Sequence, residues 1–149
     1  MHRIVGVIYP VPDRLIDRLF DGGTKVFAKF LPRNFTRLRP KNKVIFYASR
    51  GTKKLVGEGT IVRVEFLTPD SVITRYREKL FLSEAEFLAY VKNSPTRAPS
   101  KEVLTLVLNE LRKYSEPVAY HKPITMAGQY LTAVEYESFM RKKLAATQE

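Results

Sequence analysis

The segment from Lys41 to Ile61, KNKVIFYASRGTKKLVGEGTI, has the pattern of two strands joined by a basic turn. Its first arm is apolar and rich in β-branched and aromatic residues, and the second arm resumes that composition after the turn. Gly57 and Gly59 inside the second arm indicate a bulge or a bend, as small barrels need at their corners. The segment therefore predicts a hairpin in a curved, mostly antiparallel sheet.

The end of this hairpin carries side chains that a purely structural hairpin does not need. Tyr47, Ser49 and Arg50 end the first arm, and Lys53 and Lys54 lie in the turn. Cations contact phosphates and aromatic faces stack on bases, so the group is typical of a nucleic-acid contact. If the Tyr47 ring is instead a core residue, only the basic turn remains to be explained.

A second basic and aromatic group lies upstream in TKVFAKFL, residues 24–31. The alternation predicts a strand that places Lys25, Phe27 and Lys29 on one face. The basic loop that follows adds Arg33 to the candidate ligand-binding residues. The alternative is that Phe27 belongs to the core and the cations are merely solvated.

The rest of the chain predicts helices around this sheet. Capping boxes, in which a hydroxyl and a glutamate three residues later bond each other's backbone, begin at Ser83 and Thr132. The predicted elements are helices from Pro12 to Phe20, from Pro69 to about Lys79, from Ser83 to about Val91 and from Thr132 to about Leu144, and strands at 102–113 and 124–126. We therefore expect one α+β domain over residues 1–149, a small, mostly antiparallel β-barrel with peripheral helices.

The composition excludes several classes of function. The chain has no cysteine and two histidines, which leaves little for disulfides, thiol chemistry or a metal site, and we expect no cofactor. No apolar run approaches the roughly 18 residues of a membrane span. The N-terminal apolar run is short and lacks a cleavage signal. These features predict a cytoplasmic protein that is not bound to a membrane.

The net charge of +11 is concentrated in the first third of the chain. Residues 1–50 contain eleven Lys and Arg against three Asp and Glu, which gives +8. A localised basic surface is the electrostatic signature of a polyanion partner, most often nucleic acid. The alternative is a solvated basic surface with no specific partner.

The hairpin also resembles a known group of proteins. The arrangement V-I-F-Y-A-S, a basic loop and then L-V-G-E-G-T-I resembles the PUA-like superfamily, in particular its EVE and ASCH branches. The segment KPITMAGQYLTAVEYESFM is similar to archaeal members of that superfamily. The resemblance implies a small pseudobarrel with a cleft, and a partner that is RNA or a modified nucleotide. It also implies that Tyr47 and Ser49 line the cleft and that the three cations lie at its rim.

The resemblance also bears on catalysis. Gly23 and Lys25 match the turn that some ASCH amidohydrolases use, but Ala28 and Phe30 replace the glutamate and arginine of that pattern, which weakens the case for hydrolysis. The leading hypothesis is a non-enzymatic RNA-binding or modified-nucleotide-binding module. The alternatives are an amidohydrolase that pairs Lys25 with Glu58, and a protein that binds an acidic partner.

Overall fold

The computed structural model describes residues 3–29, 37–92, 102–120, 124 and 128–148, with side chains described as far as residue 141. In chain order the elements are β1 (Ile4–Val11), α1 (Asp13–Leu19), β2 (Lys25–Lys29), β3 (Lys43–Ala48), β4 (Leu55–Leu67), α2 (Pro69–Tyr76), α3 (Glu84–Lys92), β5 (Val103–Val118), β6 (Gln129–Thr132) and α4 (Ala133–Gln148). The chain therefore has the predicted α+β character.

The six strands form one mixed sheet in the order β2-β5-β4-β3-β1-β6. Strands β1 and β3 run parallel, whereas the other neighbouring pairs run antiparallel. Strands β2 and β6 lie at the two edges, so the described sheet is open. The expected small, mostly antiparallel barrel is thus not confirmed: the described sheet is open and mixed, with β1 and β3 as a parallel pair.

The parallel pair arises because the chain does not turn directly from β1 into a neighbour. It passes through α1 and β2 before it returns as β3, and such a crossover brings the new strand back in the same direction. Gly6 permits the close approach of the two strands, since a Cβ there would lie 2.2 Å from the carbonyl oxygen of Lys43. Hydrophobic periodicity does not encode the direction of pairing, which is why the sequence did not predict it.

Strand β4 bends as its glycines predict. Its pairing with β5 shifts register three times, between Leu55 and Gly57, between Glu58 and Thr60, and between Ile61 and Arg63. At Gly57 a Cβ would lie 2.4 Å from the ring of Phe20 and 2.8 Å from the carbonyl oxygen of Arg112. The absence of a side chain therefore lets α1, through Phe20, pack against the bend.

Side chains are buried on both faces of the sheet. Successive residues of β3 belong to different core clusters, one on each face. Phe46 belongs to a cluster that includes Leu15 and Ile16 of α1. Ile45 belongs to another cluster that includes Phe139 of α4, and Tyr47 packs against this second cluster. A third cluster joins α2, α3 and β5. The side chain of Tyr47 therefore lies on the α4 side of the sheet and that of Phe46 on the α1 side.

The local signals for helices are confirmed. Both capping boxes are present: the backbone N–H groups of Ser83 and Thr132 donate to Glu86 and Glu135 over 2.8 and 3.0 Å. Helix α2 begins after Thr68, whose side chain accepts a bond from the backbone N–H of Ser71. The strand expected at 102–113 is the longer β5, and β6 was not expected. The strand expected at 124–126 lies mostly outside the described residues.

Candidate nucleic-acid interface

The turn between β3 and β4 is fixed by a carboxylate from outside it. Asp13, the first residue of α1, accepts bonds from the backbone N–H of Arg50 at 2.9 Å and from that of Thr52 at 3.0 Å. The hydroxyl of Thr52 donates to the same carboxylate at 2.8 Å. Three donors of the turn thus converge on one side chain, and the turn is attached to the start of α1.

The backbone of the turn has the conformation that this attachment requires. Gly51 has a φ of +89°, and a Cβ there would lie 3.1 Å from a carboxylate oxygen of Asp13. Lys53 also has a positive φ, +54°, while its N–H donates to the carbonyl oxygen of Ala48 at 2.8 Å. Glycine suits the first position on both counts, since it tolerates a positive φ and leaves room for the carboxylate.

The turn presents its cations to solvent. Arg50, Lys53 and Lys54 are exposed, and none of them forms an ion pair with an acidic group of the described residues. Other exposed cations do pair: Arg75 lies 2.8 Å from Glu65. The turn is therefore attached to α1 through its backbone, and its positive charges are available to an external anion.

We expect Asp13→Ala to lower the free energy of unfolding by about 1–2 kcal/mol, since it removes the shared acceptor of the turn. The N–H of Thr52 is the largest cause that holds the pKa of the Asp13 carboxyl below its ordinary value of 3.8. A lowered pKa stabilises the fold above the ordinary value, and that stability is lost as the pH falls through the lowered pKa. Urea unfolding should therefore show a constant difference between wild type and variant down to about pH 4 and a smaller one below it.

Asp17 provides the matched control for this experiment. It lies one turn later on α1, is exposed, and pairs with Lys113 at 3.0 Å. Asp17→Ala should change stability by no more than about 1 kcal/mol, as is usual for a surface ion pair. Equal losses for the two variants would mean that the Asp13 bonds to the turn have no special role.

The two polar residues predicted beside the cations lie near the turn but are only partly accessible. Tyr47 is half-buried against the cluster under α4, and its neighbours across the sheet are Pro10 and Leu55. Ser49 is half-buried, and its N–H donates to the carbonyl oxygen of Val11 at 3.0 Å. The structure thus places Tyr47, Ser49 and the three cations at the same end of β3.

The residues predicted on β2 occupy a different place. Phe27 is 5% exposed and stacks between Tyr9 at 5.1 Å and Phe81 at 5.2 Å, so it is a core residue rather than a base-stacking one. Lys25 pairs with Asp21, and the ammonium of Lys29 lies 5.1 Å from the centre of the Tyr9 ring. Arg33 lies outside the described residues.

The structure does not bring Lys25 and Tyr47 together. Phe27 belongs to the core cluster on the α1 side, and Lys25, two residues earlier on the same strand, shares its face. Tyr47 packs on the α4 side. In register, Lys25 is opposite Leu108, whereas Tyr47 is opposite Leu55. The expected single concave site with Tyr47, Ser49 and Lys25 is therefore not formed.

A buried carboxylate, Glu58, is a feature whose surroundings the sequence did not reveal. It is 1% exposed and accepts bonds from the hydroxyls of Tyr114, at 2.9 Å, and Tyr136, at 3.1 and 3.3 Å. Arg112 lies 3.4 Å from it and Lys43 lies 3.7 Å from it. The hypothetical pair of Lys25 with Glu58 is absent, because Glu58 faces this other set of partners.

The pKa shifts in this buried cluster favour the hydrogen bonds that its side chains form. Burial, then the nearby Glu58 charge, raises the pKa of Tyr136 to about 12 and raises that of Tyr114 further. The Glu58 charge also raises the pKa of Arg112. The tyrosines thus remain neutral hydrogen-bond donors to Glu58 at neutral pH. The only signal in the sequence was a glutamate between two glycines, just after the apolar start of β4.

Within the described ranges, no group of three or more His, Asp or Glu is placed to hold a metal ion. No helix in the part of the chain that the structure describes is long and apolar enough to cross a membrane.

The fold has known counterparts among solved structures. The ASCH protein from Zymomonas mobilis superposes with a TM-score of 0.71 at 14% identity, over 95% of this chain and 94% of that chain. The N-terminal domain of McrB from Staphylothermus marinus superposes with a TM-score of 0.61 at 18% identity, over 95% and 98%. At such identities the similarity shows a shared fold. It confirms the expected resemblance to ASCH proteins at the level of the fold.

Similarity in sequence identifies the family more specifically than similarity in fold. A protein described as uncharacterised in Methanocaldococcus jannaschii is 34% identical over 106 residues, which cover 67% of this chain and 98% of the relative. Residues 4–133 match the family described as a domain of unknown function, DUF365, a range that includes all six strands and the basic turn. The chain therefore belongs to the DUF365 family, on a fold that it shares with ASCH proteins.

Proposed function

We propose that this protein binds RNA, and that the turn between β3 and β4 contacts its phosphates. The observation that carries the proposal is the attachment of the turn's backbone to Asp13 together with the exposure of Arg50, Lys53 and Lys54. A backbone that is already held in place loses little freedom when an anion binds to its side chains, which favours affinity. Phosphate contacts of this kind supply most of the affinity for nucleic acid and little sequence selectivity.

Selectivity in this proposal comes from the half-buried polar residues beside the turn. Tyr47 offers part of an aromatic ring and Ser49 a hydroxyl at the same end of β3. An unstacked base, plain or modified, that follows the bound phosphates would contact these two groups. The fold supports the proposal, because the ASCH and EVE branches that the sequence resembles are associated with RNA or modified bases.

The test is a triple variant, Arg50→Gln, Lys53→Gln and Lys54→Gln, measured by fluorescence anisotropy with a labelled single-stranded RNA. Each lost phosphate contact lowers the slope of log affinity against log salt by about 0.7, so the slope should fall by about two. Affinity should fall about 10- to 100-fold at a salt concentration of about 0.1 M.

The matched control removes three exposed cations that already have acidic partners. Arg63 and Arg75 contact Glu65, and Arg77 contacts Glu84. Their replacement by glutamine lowers the net charge of +11 by the same three units. If the control loses as much affinity and slope as the turn variant, binding reflects overall charge and the proposed interface is wrong.

A further inference from the structure

A second group of exposed cations lies at the opposite end of β3, in the segment Arg37–Lys41. Leu38 is 4% exposed and belongs to the core cluster on the α1 side. The residues around it, Arg37, Arg39 and Lys41, are exposed. The buried leucine therefore anchors a segment whose charged side chains point to solvent.

Hydrogen bonds hold this segment at three points. The N–H of Arg37 donates to the hydroxyl of Tyr130 at 3.0 Å, and the N–H of Arg39 donates to the side chain of Asn42 at 2.9 Å. The N–H of Lys41, whose φ is +76°, donates to the carbonyl oxygen of Ile61 at 2.7 Å. The backbone of the segment is thus held to β6, to its own turn and to β4, as the backbone of the hairpin turn is held to α1.

The charges of this segment are not neutralised locally. No Asp or Glu occurs in the sequence between Asp21 and Glu58. Arg37, Arg39 and Lys41 form no ion pair with the acidic residues of the described ranges. Two groups of three exposed cations thus lie before and after one strand of six residues.

We infer that Arg37, Arg39 and Lys41 form a second phosphate-binding surface, and that one RNA strand contacts both surfaces at once. This inference rests on the proposed function of the hairpin turn. From Lys41 to Arg50 the backbone covers at most about 30 Å at about 3.3 Å per residue. About nine stacked nucleotides, at about 3.4 Å each, cover that distance.

One RNA strand that contacts both surfaces would bind with a higher affinity than either surface gives alone. Once the strand is bound at one surface, the second contact is intramolecular and has a high effective concentration. A strand that is too short reaches only one surface at a time. A nucleic acid fits better than an acidic protein, because its phosphates recur along the whole length and can meet two separated groups of cations.

The experiment compares single-stranded RNAs of about four and about sixteen nucleotides, the second of which exceeds the upper limit of roughly nine. The proteins are the wild type and the variant Arg37→Gln, Arg39→Gln, Lys41→Gln. We expect the variant to bind the long RNA about 10- to 100-fold more weakly than wild type, with a salt slope lower by about two. On the short RNA the two proteins should differ less than about threefold, because the hairpin turn remains available to it.

A longer RNA also offers more positions at which a protein can bind, and this raises the measured affinity of both proteins equally. The quantity to compare is therefore the ratio of the affinities of wild type and variant on the same RNA. A variant that matches wild type on both RNAs would overturn the second surface, while a loss in the hairpin-turn variant would still support the first. If neither variant loses affinity, the proposed function itself fails. If polyglutamate displaces the long RNA as well as unlabelled RNA does, the surface takes any acidic polymer and the inference is also overturned.

Discussion

Replacement of Glu58 by alanine is expected to lower the free energy of unfolding by about 3–5 kcal/mol, the usual cost of removing one partner of a buried charge cluster. The change leaves the Tyr114 and Tyr136 hydroxyls without the acceptor they share. It also leaves Arg112 and Lys43 facing each other's charge without the carboxylate between them. Because Tyr136 lies on α4, the variant should also loosen the packing of that helix on the sheet.

Urea unfolding measures this loss directly, and thermal unfolding should show a decrease of roughly 6–20 °C for a chain of this size. Glu58→Gln keeps the volume and one oxygen acceptor, so its cost should be smaller. Glu84→Ala is the control, because Glu84 is exposed and pairs only with Arg77 at 3.4 Å among the described residues. A loss below about 1 kcal/mol for Glu58→Ala, equal to that of a surface pair, would contradict this account.

The elements that the sequence predicted correctly are those set by local chemistry. The capping boxes at Ser83 and Thr132 join residues three positions apart. The hairpin of β3 and β4 and the bend at Gly57 were signalled by turn residues and glycines that lie within one short segment. The parallel pairing of β1 with β3 depends instead on how the chain crosses over between them. No local pattern records that path, so the parallel pair was not predicted. The barrel is not confirmed, because the described sheet has β2 and β6 at open edges.

The predictions about the candidate site show the same division between local features, which were evident, and distant contacts, which were not. The basic turn was evident because its cations are adjacent in sequence, whereas Asp13, which fixes the turn, is 37 residues from Arg50. The convergence of Tyr47 with Lys25 was wrong because alternation gives the two faces of each strand but not which faces match across a sheet. Glu58 was noted only as a possible partner of Lys25, since its tyrosine partners lie 56 and 78 residues away.

Phe27→Ala is expected to lower the free energy of unfolding by about 3–5 kcal/mol, as is usual for a buried phenylalanine. The ring of Phe27 stacks between Tyr9 and Phe81 and also lies 6.4 Å from the ring of Phe46, so its loss opens a cavity within a group of aromatic side chains. Phe27→Leu fills most of that cavity and should cost less. Unfolding in urea, monitored by circular dichroism, measures both losses.

The same two variants separate a core role from a role in binding. A core residue affects binding only by changing the fraction of protein that is folded. The RNA affinity of the folded protein should therefore stay within about threefold of wild type. That change is smaller than the loss of roughly 1 kcal/mol expected for a stacking contact. Affinity is measured at low temperature, with the active fraction obtained by stoichiometric titration. Normal stability with an affinity loss of about 10-fold or more would instead place Phe27 against the bound base and contradict its assignment to the core.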